Sequence, residues 1–77
     1  MSNTVTCRFR GHTLQVARVP ASYPALNLGI DGRLIGVASD AGNAIAELSE
    51  SFRVAFTNDR SVTLPQRFRD AVAELAG

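Results

Sequence analysis

Apolar and polar residues alternate from the first strand-like segment onward. Val5, Cys7 and Phe9 interleave with Thr4, Thr6, Arg8 and Arg10, the period of a half-buried strand. Gly11-His12 reads as a two-residue turn, with glycine where a type II′ turn needs positive φ. Counting back across that turn pairs Phe9 with Leu14 and Cys7 with Val16. It also sets Arg8 beside Gln15, and Arg10 beside Thr13, on the opposite face. One face is then apolar and the other polar, as in an antiparallel sheet wet on one side.

A second alternating run, Leu26, Leu28 and Ile30, leads into Asp31-Gly32, a favoured pair for a type I′ hairpin turn. The register predicts Leu28 opposite Ile35 and Leu26 opposite Val37. The reverse face collects Ala25, Asn27, Gly29, Leu34, Gly36 and Ala38. These mostly small residues serve either strand twist and close backbone approach or a flat surface that a partner can approach. Between the hairpins, Pro20-Ala-Ser-Tyr-Pro24 suits neither a helix interior nor a central strand. Tyr23 is expected to cap an edge of the core.

The period then changes. Ser39-Asp40 supplies side-chain acceptors for a helix N-terminus. Ala41, Ala44, Ile45, Leu48 and Phe52 follow as one apolar stripe at helical spacing. The spacing predicts a helix over about residues 41–51, with Glu47 and Glu50 pointing away from the stripe. Arg53 to Leu64 reads as a strand or short hairpin, because Val54 and Phe56 alternate with Arg53, Ala55 and Thr57 and Asn58-Asp59-Arg60-Ser61 is turn chemistry. Thr63-x-x-Gln66 fits a capping box, with Pro65 tolerated in a first helical turn. Leu64, Phe68, Val72 and Leu75 form the second helical stripe.

These elements predict an α+β fold in the order ββββα-β(β)-α. Two hairpins form an antiparallel meander, and two amphipathic helices cover its apolar face. Residues 1–77 are expected to form one compact domain.

Composition narrows the function classes. Hydrophobic residues make up 45% of the chain and charged residues 19%, enough apolar content to offset ordering entropy. No apolar run approaches the roughly 18 residues of a membrane span. The opening Met-Ser-Asn-Thr-Val-Thr has neither a basic nor an apolar signal region, so a cytoplasmic location is expected. Net charge is +1, which favours neither a polyanion-coating protein nor an acidic mimic. Every basic residue is arginine, whose rigid fork suits carboxylates and phosphates.

Reactive groups are scarce. His12, the single histidine, falls in a turn with no acid, cysteine or serine beside it in the sequence, and a general base needs an orienting partner. Cys7 falls on the apolar face of a strand and reads as a small core hydrophobe. The acids fall in turns, a cap and exposed helix faces, without the converging spacing of a metal loop. Gly36-Val-Ala-Ser-Asp-Ala-Gly42 joins a strand to a helix start, but Asp40 puts negative charge where a phosphate would bind. No cofactor is expected and enzymatic activity is not. The candidate partner-binding residues are Arg8, Arg10 and Gln15 on the sheet, with Glu47 and Glu50 on the first helix as a second patch. The partner is expected to be a larger protein or protein–nucleic-acid complex, engaged by a monomer or homodimer.

Two resemblances add expectations. Val62-Thr63-Leu64-Pro65-Gln66-Arg67-Phe68-Arg69-Asp70-Ala71, preceded by Arg53-Val54 and a polar turn, resembles the hairpin-to-helix start of AbrB-type swapped-hairpin transcription factors and antitoxins. That resemblance implies a DNA-binding dimer using arginines near Arg53 and Arg60. The same run is similar to ribbon-helix-helix repressors. The stretch from Ser22-Tyr23 through Leu26 to Ile30, Asp31-Gly32 and Arg33 to Ala38, then Ser39-Asp40 into an alanine-rich helix, resembles small phage-encoded anti-CRISPR proteins that inhibit type I systems. It implies a viral inhibitor that binds a protein of a CRISPR surveillance complex and blocks nucleic-acid binding.

Overall fold

The computed structural model describes residues 3–20 and 25–77. Its elements are β1 (Thr4–Phe9), β2 (His12–Arg18), β3 (Leu26–Ile30), β4 (Arg33–Ala38), α1 (Ala41–Phe56) and α2 (Gln66–Ala76). The strands make a single antiparallel sheet in the order β1-β2-β3-β4, and both helices pack on one of its faces. The fold is the expected α+β arrangement. Tyr23, expected to cap the core, lies outside the described residues.

The first turn is Arg10-Gly11, not Gly11-His12. Phe9 stands opposite His12, Cys7 opposite Leu14, and Arg8 opposite Thr13. Both turn residues have positive φ, +49° at Arg10 and +84° at Gly11, the requirement of a type I′ turn whose twist matches the strands. Relative to the predicted pairing the register moves by two residues. An even shift keeps every side chain on its face, so Leu14 and Val16 are still fully buried. Arg8 is thereby paired with Thr13 and not with Gln15, and Arg10 leaves the sheet for the turn.

The second turn is Asp31-Gly32 as predicted, with φ of +54° and +81°. Beyond it the pairing slips. Gly29 opposes Leu34, but Leu28 opposes Gly36 and Leu26 opposes Ala38. Ile35 is the extra residue of a β-bulge, which changes the facing of everything after it. Gly36 and Ala38 turn toward the helices, and Ala38 is buried. Val37, predicted opposite Leu26 in the core, faces out and is 48% exposed.

Helix α1 begins where expected: Asp40 Oδ1 accepts the Asn43 N–H at 2.8 Å. It runs to Phe56, five residues past the predicted end and through the segment expected to be a strand. Phe56 lies four residues after Phe52 and extends the stripe by a further turn, and nothing from Arg53 to Ala55 breaks a helix. Among the described residues no strand lies between the helices. Residues 57–65 instead form an extended connection that buries Val62 and Leu64. Pro65 is the cap position of α2 and no side chain caps that helix, so Thr63 does not close a capping box. Gln66 instead bonds Asp70 through Nε2, at 2.7 Å.

The core is one cluster between sheet and helices. Leu14, Val16, Leu26, Leu28 and Ile30 meet Ala44, Leu48 and Phe52 from α1 and Phe68 and Val72 from α2. Cys7 packs at its margin, and burial pushes its thiol pKa up, as expected of a structural cysteine.

Candidate interaction surface

Both helices lie on one face, and among the described residues no element covers the other face of the sheet. Outward alternation places Thr6, Arg8, Thr13, Gln15, Ala17, Asn27, Gly29, Leu34 and Val37 there. Side chains in its middle are short, so a shallow cleft of about 300 Å³ opens among Gln15, Ala17, Asn27, Gly29 and Leu34. Leu34 is 64% exposed, large for an aliphatic residue, with none of the described elements over it. At the β1 margin Arg8 is held in place: one guanidinium nitrogen donates to Thr13 Oγ1 at 3.1 Å and another to the Gly11 carbonyl at 3.2 Å. The bare face therefore combines a positioned cation, an amide, small residues and exposed aliphatics.

Of the sequence-predicted site residues, Arg8 and Gln15 share this face. Arg10 does not: its turn position sends it toward the connection after α1, where it pairs with Asp59 at 2.8 Å and lies over the Phe9 ring at 5.1 Å. Arg10 is thus corrected from a sheet-face residue to a turn residue. The Asp59 carboxyl is held below its ordinary pKa, chiefly by the Arg10 hydrogen bond. Glu47 and Glu50 do come together, on the helix side. They line a groove of about 410 Å³ with Val37, Ala38, Ser39, Asn43 and Ala46. A Cβ on Gly36 would stand 3.4 Å from Glu47 Oε1, so this carboxylate lies over β4. Glu50 is engaged by Arg53 at 2.6 and 3.0 Å, which lowers its pKa. The two predicted patches lie on opposite faces of the sheet and form no common site.

Sequence reasoning missed one cluster. A meander brings its first and third turns to the same end of the sheet, so His12 meets Asp31: Nδ1 lies 2.6 Å from Asp31 Oδ2. Asp31 Oδ1 also accepts the Thr13 N–H at 2.9 Å. The Asp31 carboxyl is held below its usual range, first by the His12 hydrogen bond and then by the Thr13 amide. The ring stacks on Phe56 at 3.9 Å and meets the edge of Phe52 at 5.5 Å. The imidazole is thus oriented by the Asp31 carboxylate on one side and the two phenylalanine rings on the other. As built, the cluster ties the two hairpins to the end of α1. Neighbouring strands in sequence were the available signal, since a meander necessarily juxtaposes such turns. Among the described residues no group of three or more potential ligands could hold a metal ion, and no helix is long and apolar enough to cross a membrane.

Comparison with protein-family models, with curated proteins and with solved structures finds no match.

Proposed function

We propose that this chain is a non-enzymatic binding protein that docks through the bare face of its sheet on a larger protein or protein–nucleic-acid complex in the cytoplasm. Following the resemblance of residues 22–40, the proposed target is a CRISPR surveillance complex, and the proposed effect is to block its nucleic-acid binding as a viral inhibitor. The observation that carries the docking reading is the sheet face that the described elements leave uncovered, with Leu34 64% exposed beside the cleft that Gln15 lines. Small residues let a partner backbone approach, a fixed arginine supplies an anchor type enriched among interface hot spots, and an exposed leucine adds apolar area to bury. The scarce reactive side chains have structural positions: Cys7 against the core and His12 between Asp31 and Phe56.

The test is target-duplex binding by a purified type I surveillance complex, read by gel shift with and without the chain. The proposal expects the shift to disappear with the wild-type chain and to return with Arg8→Ala/Gln15→Ala, whose thermal unfolding stays near wild type. Direct retardation of random duplex by the chain alone at low salt, fading steeply as salt rises, would replace this reading with a small DNA-binding regulator. Absence of both inhibition and retardation contradicts the choice of target.

A further inference from the structure

We propose that the β4 edge is a self-association surface, on which a second copy of this chain pairs antiparallel to form a two-fold dimer. This goes beyond the docking of the sheet face. Strand β4 is an edge strand, and after Arg33 it reads Leu-Ile-Gly-Val-Ala, without a charge or a proline. Natural edges are guarded by such residues, and an uncharged apolar edge is a template for pairing with another chain. The bulge at Ile35 and the Glu47 carboxylate over Gly36 are the edge's guards among the described residues, and the bulge supplies the symmetry. Because of it Leu34 and Val37 both face out, while Ile35 and Gly36 face the helices.

A two-fold axis between Ile35 and Gly36 sets bulge against bulge and pairs the flanking residues. Leu34 of one copy then opposes Val37 of the other, so the two exposed aliphatics of β4 become cross-strand neighbours, a stabilising sheet pair. The same register puts Arg33 of one copy beside Ala38 of the other, at the mouth of the groove that Glu47 and Glu50 line. Among the described residues neither Arg33 nor Glu47 has a recorded ion pair, and the two-fold gives each cation a carboxylate on the other copy. Without Arg33 the operation would bring two acidic grooves together, so the pairing depends on that cation.

The opposite edge fits a second copy less well. The groove between β1 and α2 is lined by Arg8 and Arg67, so β1-to-β1 pairing would juxtapose like charges. Pairing β4 with β1 of the next molecule is head-to-tail, which does not close into a dimer.

Sedimentation velocity or light scattering on the full chain tests this. The expected mass is twice 8.2 kDa in the micromolar range. Arg33→Glu and Glu47→Arg each give a monomer with a wild-type circular dichroism spectrum, and R33E/E47R together restore the dimer. A wild-type monomer up to about 100 μM, weaker than a specific interface of standard size provides, overturns the proposal. So does a dimer indifferent to both single substitutions, or a failure of the charge swap to restore it while the spectrum stays native.

Discussion

Removing the Phe52 ring tests how the helices are locked to the sheet. Phe52 is fully buried. Its ring meets Phe9 edge-on at 5.0 Å, Phe56 at 5.2 Å and His12 at 5.5 Å. Truncating a buried aromatic to alanine costs about 3–5 kcal/mol, through lost transfer energy and the cavity left behind. The aromatic pairing within that figure is worth about 0.5–1.5 kcal/mol. A chain of 77 residues holds about 4–12 kcal/mol in total, by the usual stability per residue. Phe52→Ala is therefore expected to leave a large unfolded fraction. Phe52→Leu keeps most of the apolar volume and is expected to cost about 1–2 kcal/mol, or roughly 4–16 °C in Tm for a domain of this size. The assay is urea unfolding followed by far-ultraviolet circular dichroism, with an unchanged slope as the sign that two-state behaviour persists. Phe56→Ala is the control. That ring is 45% exposed, and its loss is expected to cost about 1 kcal/mol, mainly the stack on His12. A cost below about 1 kcal/mol for Phe52→Ala, small against any buried ring, refutes the reasoning. Equal costs at Phe52 and Phe56 refute it too, because Phe56 would then face the core as it does in the strand reading of residues 53–64.

Acid unfolding gives a second test. The His12 and Thr13 hydrogen bonds lower the folded Asp31 pKa below its ordinary 3.8. The unfolded chain therefore binds protons more readily, and this stabilisation is present at neutral pH and fades as pH falls below the ordinary value toward the folded one. Asp31→Asn is expected to flatten part of the decline in urea midpoint below about pH 4, and an unaltered decline would remove Asp31 from the cause. Gly32→Ala puts a Cβ in open space but at φ +81°, so strain alone is expected to cost about 1–2 kcal/mol; thermal unfolding reads this, and a neutral result would mean the turn relaxes. Val37→Thr is expected to change stability by less than about 0.5 kcal/mol, the range of ordinary surface substitutions. Ala38→Leu is expected to cost about 1–3 kcal/mol by overpacking, and the reverse ranking in chemical denaturation would erase the bulge at Ile35.

The sheet and its apolar face were legible because alternation survives an even error. Reading the first turn one residue late moved the pairing of Phe9 from His12 to Leu14 without turning any side chain over. Arg10 at φ +49° is the reason for the miss, since turn chemistry favours glycine, asparagine or aspartate at that position. The bulge left no comparable mark. Leu-Ile-Gly-Val-Ala reads equally well as regular strand, and only the packing of Ala38 and Gly36 under α1 selects the slipped register. Residues 53–56 satisfy both periods at once: Val54 and Phe56 alternate, and Phe56 also completes a turn from Phe52. Continuation of an existing helix won over starting a new strand, because each added helical residue gains a hydrogen bond without a new nucleus. Of the candidate surface, the facing of Arg8 and Gln15 followed from alternation and the nearness of Glu47 to Glu50 from helical spacing, but the groove they form against β4 depended on how α1 packs on the sheet. The meeting of His12 with Asp31 followed from the predicted meander, which brings its first and third turns to one end of the sheet, and not from the pattern around either residue.

The most direct measurement compares two sets of substitutions in the same surveillance-complex gel shift. One set, Leu34→Asp with Gln15→Arg, alters the bare sheet face. The other, Cys7→Ser and His12→Gln, removes the thiol and imidazole, each checked for native unfolding. The account predicts that the first set weakens inhibition by at least about tenfold, about 1.4 kcal/mol of binding, and that the second leaves it within about twofold. Inhibition that survives the first set and vanishes with the second would place the activity in the reactive side chains, contradicting the account.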